Sequence, residues 1–479
     1  MRKQVLFLCL VCFSVPSAAQ ERSLTQFLGD GSMKHASVSL CIIESETGKS
    51  LLEKNSGLSL TPGSVMKLFT TSAALELLGP DHCFRTIIGF TGSLDRSTGR
   101  LDGNIVIKGG GDPALGSENF SSFYEGFIDQ WITEISKMGI REINGCIISD
   151  DSYYDYQPVP SKWPWEDMGN YYGAGVYGLS VYDNTYEIHL QTLPDTNNPQ
   201  ITAINPEDCG IELDNRLTAT GTEDKGYVFA APYSKSGWIE GTIPLKSGIF
   251  ILKASIPDPP LLLAKILDRR LKESGVKISG EPSTVRLLKL YKEEDFIPLS
   301  ELISPPLKEI IKVLNHKSVN LYAEHLVKEL GLVFSNSGTT NKGIEVIYKY
   351  LRENGIDTDA LFMVDGSGLS PLDAVSSWQV AELLRYMKKE GKYFTWLHSS
   401  LPDAGKEGTL KQIFRDPIFK SSLRAKSGSM TGVRAYAGFL KAKSGKELIF
   451  CIIINNFSGS SKEIVSNIER ILKEAIINN

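Results

Sequence analysis

The sequence predicts an α+β protein (α/β in the broad sense) in which an antiparallel sheet flanked by helices is assembled from both ends of the chain. Three observations predict it. Residues 37–53 alternate as two strands joined at Thr47-Gly48, a hairpin signal. Near the other end, Leu423–Met430, Val433–Lys441 and Glu447–Asn455 read as consecutive strands, followed by an amphipathic helix over Lys462–Ile477. Between these ends, residues 89–294 change character. Short β-like runs alternate with Gly, Asp, Asn and Pro clusters and long helical patterns are few, so this stretch reads as an insertion.

The first element is a leader. Met1-Arg2-Lys3, the apolar run Val5–Phe13 and the small residues Ser17-Ala18-Ala19 have the order of a secretory signal peptide cut after Ala19. The run is shorter than the roughly twenty apolar residues of a membrane span, and no later segment is long enough, so no transmembrane anchor is expected. After the hairpin, Thr61-Pro62-Gly63 breaks the chain. A helix is predicted from Ser64 to Leu78, with Val65, Leu68, Leu75 and Leu78 apolar and Gly79-Pro80 as the stop. Leu307–Leu314 and Asn320–Leu330 read as two further helices, with His316 and His325 as surface residues.

Composition narrows the function. With 42% hydrophobic and 22% charged residues the chain can fold a sizeable core. A net charge of −5 and no basic run argue against a nucleic-acid partner. Gly48-Lys49-Ser50 is not a phosphate loop, because Ile43 stands where that motif needs glycine. Cys41, Cys83, Cys146, Cys209 and Cys451 have no metal-ligand spacing, and no metal or cofactor is called for. Cys41 and Cys451 lie in strand-like runs and read as buried thiols; one disulfide remains open in an oxidising compartment.

Three short motifs carry chemistry. In Ser64-Val65-Met66-Lys67, residues three apart share one helix face, which brings the amine within reach of the hydroxyl. A serine hydroxyl needs an adjacent base, and lysine serves when burial and a neighbouring cation lower its pKa. In Ser318-Val319-Asn320, the hydroxyl could relay a proton to a leaving amine while the Asn320 amide orients Lys67 and the substrate backbone. Ser318 could equally be a helix N-cap. In Lys426-Ser427-Gly428, the cation could bind a terminal carboxylate and bias Lys67 toward its neutral form. Gly428 permits close backbone approach, and the Ser429 N–H could donate to an oxyanion beside the helix N-terminus. Each motif alone is weak; their order and contexts are those of serine acyl-transfer enzymes that react with penicillin.

The sequence resembles the low-molecular-mass, class C penicillin-binding proteins, which are D-alanyl-D-alanine carboxypeptidases and endopeptidases. The resemblance covers essentially the whole mature chain. It rests on the three motifs and on the GGGDP of 109–113, the WPWED of 163–167 with Tyr171-Tyr172-Gly173-Ala174, the DGSGLS of 365–370 and the LPDAGKEGTL of 401–410. It implies a transpeptidase-like catalytic domain over 20–88 and 295–479, like that of β-lactamases. The inserted region of 89–294 is then two small domains, with about 150–185 returning to the site. Ser64 is implied as the acylated nucleophile, Lys67 as its base, Ser318 and Asn320 as the relay, and Lys426 as the carboxylate partner. Ser427, Gly428, Ser429 and Asp167 would contact substrate. The implied partners are peptidoglycan stem peptides and cross-links, with β-lactam antibiotics as covalent inhibitors, in the periplasm.

The chain departs from the family pattern at four places. KSG replaces KTG, Val319 stands inside SxN, Gly63 precedes the nucleophile, and Pro371 follows DGSGLS where relatives often carry arginine. Alternatives are a β-lactamase, an esterase or peptidase of the same fold, and an inactive peptidoglycan-binding scaffold. Glu166 and Asn170 match the ExxxN of one β-lactamase class but precede SxN here, whereas they follow it there.

Overall fold

The computed structural model describes residues 18–192, 196–245, 248–288 and 295–479. Residues 1–17 of the predicted leader lie outside the described residues. The helices used below are α1 (Ala18–Leu28), α2 (Lys67–Leu78), α3 (Leu307–Lys317), α4 (Asn320–Ser335) and α5 (Ser461–Asn478). The sheet joining the two ends of the chain comprises β1 (Ser37–Glu44), β2 (Ser50–Lys54), β3 (Leu423–Met430), β4 (Val433–Lys441) and β5 (Glu447–Asn455). Its order is β3-β4-β5-β1-β2, antiparallel throughout, so β1 pairs with β5 across almost the whole sequence.

Burial on both faces explains why β1 and β5 carry the apolar runs Leu40–Ile43 and Leu448–Ile454. Side chains alternate across a strand. Cys41, Ile43, Ile449, Cys451 and Ile453 enter one core with Leu68, Phe69 and Leu75 of α2. Leu40, Ile42, Phe450, Ile452 and Ile454 enter a second core, closed by Phe27 of α1 and Ile464, Ile468 and Leu472 of α5. Helix α2 is therefore central, and Lys67 through Leu75 are all buried. A helix covered on all sides has no polar face to show, so its sequence pattern reads poorly.

Between residues 85 and 303 the strands form other sheets. Arg85–Asp95 and Arg100–Lys108 lie centrally in one, with Ile297–Ile303 against the first of them. Two three-stranded sheets follow, one from Thr185–Thr192, Pro199–Asn205 and Ile249–Ser255, the other from Glu212–Ala219, Lys225–Phe229 and Ser236–Ile243.

Three readings are refined. Cys41 and Cys451 are buried and directly opposite in register, and all five described cysteines are free. His325 is a core residue, not a surface one: its ring lies between Ser180 Oγ and the Gly111 carbonyl, both at 2.9 Å. Burial drives its pKa down to about 3, so it is a neutral packing and hydrogen-bonding group. Ser318 is not an N-cap. It ends α3 in the left-handed region, at φ 61° and ψ 39°.

Candidate active site

The chain enters the site through a tight turn. Gly63–Met66 forms one turn of 3-10 helix ahead of α2, which sets Ser64 at the mouth and Lys67 at the buried end. Two glycines let β3 press against this turn. Gly63 has φ +52°, and a Cβ there would lie 2.9 Å from Ser429 N. A Cβ on Gly428 would lie 2.2 Å from Pro62 O and 3.1 Å from Ser64 N. Gly63 is thus a requirement of this backbone, not a neutral replacement of alanine or serine.

The three motifs converge. Lys67 Nζ donates to Ser64 Oγ at 2.9 Å, to Asn320 Oδ1 at 2.6 Å and to the Ser367 carbonyl at 2.6 Å. Lys426 Nζ donates to Ser318 Oγ at 2.9 Å and to the Ser427 carbonyl at 2.8 Å. Both lysines have 0% exposure. Burial brings Lys67 down to about 7, against the opposing pull of Asp365, Glu324 and Asp373. Burial, and then repulsion from Lys67, hold Lys426 well below the ordinary lysine range. Two ammoniums that repel in a dry site titrate as a pair, each favouring loss of the other's proton. A lysine that is partly neutral and bonded to a serine hydroxyl can act as its base.

The residues behind Lys67 were not singled out as site residues in the sequence. Asp365 is fully buried and accepts from the backbone N–H of Ser367 at 3.0 Å, Gly368 at 2.6 Å and Ser370 at 2.7 Å. A further donor, from the inserted region, is the indole N–H of Trp163, at 2.8 Å. Asp365 therefore folds the 365–370 loop into the shape that aims the Ser367 carbonyl at Lys67, and Trp163 ties that loop to the inserted region. Glu324, one helical turn after Asn320, accepts from Gly366 N at 3.0 Å; burial and then Asp365 push it up to about 8. Asp373 accepts from Val364 N at 2.8 Å, and burial followed by Asp365 raises it well above the carboxylate range. A signal for Glu324 was present, since i and i+4 share a helix face. For Asp365 and Trp163 the signal is confined to membership of the DGSGLS and WPWED segments.

The mouth opens into a cavity of about 910 Å³. Ser64, Ser318, Asn320 and Ser429 line one side, and Asp167, Tyr171 and Tyr172 of the inserted region line the other. Asn320 Nδ2 donates to the Tyr172 carbonyl at 2.8 Å, so the inserted wall also orients the relay amide. Asp167 accepts from the Tyr172 hydroxyl at 3.0 Å, and burial raises its pKa. The Glu166–Asn170 pair is used locally: Asn170 Nδ2 bonds the Glu166 carbonyl at 2.6 Å and Asn170 Oδ1 accepts from Val228 N at 3.1 Å. Ser427 faces away from Lys426, with its hydroxyl on Thr409 Oγ1 at 2.7 Å. Among the described residues no cluster suited to a metal ion occurs, and no helix is long and apolar enough to cross a membrane.

The family described as D-Ala-D-Ala carboxypeptidase 3 (S13) matches residues 20–475. The chain belongs to this family. It is a serine-type D-alanyl-D-alanine carboxypeptidase by that membership. The D-alanyl-D-alanine carboxypeptidase of Actinomadura sp. (strain R39) is 28% identical over 444 residues, 90% of this chain and 80% of that protein. The D-alanyl-D-alanine carboxypeptidase DacB of Haemophilus influenzae is 25% identical over 468 residues, 95% and 93% of the two chains. The crystal structure of penicillin binding protein 4 (dacB) from Haemophilus influenzae shares the fold, with a TM-score of 0.79 at 22% identity, covering 95% of this chain and 98% of that one.

Proposed function

We propose that this S13 carboxypeptidase works through an acyl-enzyme on Ser64, on D-alanyl-D-alanine ends of peptidoglycan stem peptides and on their cross-links. The observation that carries the reading is Lys67 Nζ, 2.9 Å from Ser64 Oγ and held near neutrality in a dry site. Neutral Lys67 takes the hydroxyl proton as Ser64 Oγ attacks the penultimate D-alanine carbonyl. The N–H groups of Ser64 and Ser429, brought together by the two glycines, receive the oxyanion. The proton returns to the leaving amine through Ser318, whose hydroxyl Lys426 holds. Water then attacks the ester, with Lys67 again as base. Asp167, on the inserted wall, contacts the stem peptide.

Because the same acyl chemistry opens a β-lactam ring, penicillin would form a stable ester on Ser64. We further propose export by the residues 1–19 leader and work in the periplasm. The catalytic domain joins both chain ends. We place Arg85–Asp95 and Ile297–Ile303 with the insertion, since the first pairs with Arg100–Lys108 inside it and the second pairs with the first. The test has two parts. Mass mapping of a labelled penicillin adduct is expected to locate it on Ser64; an adduct elsewhere overturns the nucleophile. Digestion of monomeric and cross-linked muropeptides, read by mass, is expected to release D-alanine and to split dimers. No product from either, with penicillin bound, points to another acyl substrate.

A further inference from the structure

The substrate implied above ends in a carboxylate, and Lys426 is poorly placed to receive it. Its ammonium is fully buried, and its described bonds run to Ser318 Oγ and the Ser427 carbonyl. Side chains alternate along β3, so Ser427 and Ser429 share the face opposite Lys426. On that face stands another cation. Arg434 of β4 is directly opposite Ser429 in register. Its Nη1 donates to Ser429 Oγ and, at 3.3 Å, to the Val433 carbonyl, and its Nη2 donates to Ser461 Oγ at 2.6 Å. These acceptors are all uncharged, and no ion pair involves Arg434 among the described residues. Ser429 itself is exposed and lines the same cavity as Ser64.

We propose that Arg434, bonded to the cavity-lining Ser429, receives the carboxylate of the leaving residue and makes the enzyme prefer a free acid over a neutral end. This rests on the substrate reading above. A guanidinium presents paired donors that match a carboxylate and stays charged at any working pH. A serine hydroxyl beside it adds a neutral donor that can turn toward the same group. Thr409 and Ser427, bonded to each other at 2.7 Å, continue the row of hydroxyls along this face. Lys426 is left with a different task, holding Ser318 and opposing charge on Lys67.

The test compares each substrate with its neutral counterpart. kcat/KM would be measured for an N-acyl-D-Ala-D-Ala free acid and its C-terminal amide, and acylation rates for penicillin G and its methyl ester. Arg434→Gln is expected to reduce the acid-over-neutral ratio about ten- to hundredfold, the scale of a hydrogen bond to a charged group. Arg434→Lys should restore part of it. Lys426→Ala is expected to slow acid and neutral substrates alike. An unchanged ratio in Arg434→Gln, or a ratio abolished by Lys426→Ala, overturns the assignment. If the wild-type protein cleaves neither peptide, the substrate reading falls, while the penicillin and ester pair still decides the role of Arg434.

Discussion

The surroundings of Lys67 and of Lys426 make an instructive contrast. Both side chains are fully buried, and burial lowers the pKa of both. Behind Lys67 stand Asp365, Glu324 and Asp373, of which Asp365 opposes that lowering most, and Lys67 settles at about 7. Lys426 has Lys67 as its charged neighbour, and that pushes it further down. The difference shows how one dry pocket gives two lysines different duties. A base has to exchange protons near the working pH, and an acid cluster opposing desolvation sets that point. A lysine without acids can hold a hydroxyl by hydrogen bonding and need not carry full charge.

The largest effect should come from removing the base itself. Lys67→Ala deletes the group bonded to Ser64 Oγ and leaves Asn320 and the Ser367 carbonyl without their shared donor. Acylation by penicillin should slow by about a thousandfold or more, the scale seen when an activating base is lost. Stopped-flow acylation, with a thermal melt showing that the fold persists, measures it. A rate near wild type would hand the role of base to another group and end the contrast between the lysines.

Charge behind Lys67 comes next. In the wild type the acylation rate should rise with pH through about 7, as Lys67 loses its proton. Asp365 is the acid that raises Lys67 most. Asp365→Asn removes that charge; its amide oxygen can keep the Ser367 and Gly368 N–H bonds, while the Ser370 and Trp163 donors lose their acceptor, a cost read separately in a thermal melt. Lys67 then releases its proton more easily, so the acid limb of the pH–rate profile should move to lower pH by about one unit. A limb that stays in place would mean that burial alone sets the base, and a limb moving to higher pH would reverse the sign of the argument.

The parts of this arrangement differ in how plainly the sequence shows them. The sheet from both termini was legible because β1 and β5 carry the apolar runs Leu40–Ile43 and Leu448–Ile454, and β3, β4 and β5 follow one another with short turns. Ser64, Lys67, Ser318, Asn320 and Lys426 were legible as spaced motifs, and the structure brings all five together. The support behind them was not. Trp163 and Asp365 are 202 residues apart, and only folding places the indole N–H on the carboxylate. Ser367 acts through its carbonyl, which carries no side-chain signature. His325 failed for a related reason. A helix such as α4, packed on several sides, buries polar residues wherever a partner waits, so position along it does not reveal exposure.

The smallest effect separates holding from charging. Trp163→Phe removes one N–H from Asp365 and keeps most of the ring volume. The three backbone donors from Ser367, Gly368 and Ser370 remain, so the charge facing Lys67 should be unchanged. The acid limb should therefore stay within about half a unit of wild type, in contrast to Asp365→Asn. What is lost is a buried hydrogen bond to a charged group, about 1.5–3 kcal/mol. That loss should appear as a lower melting temperature and a severalfold slower acylation, as the Ser367 carbonyl wanders from Lys67 Nζ. If Trp163→Phe instead moved the limb as far as Asp365→Asn does, the inserted region would be setting the charge of Lys67, and the division between the two lysines would have to be redrawn around Trp163.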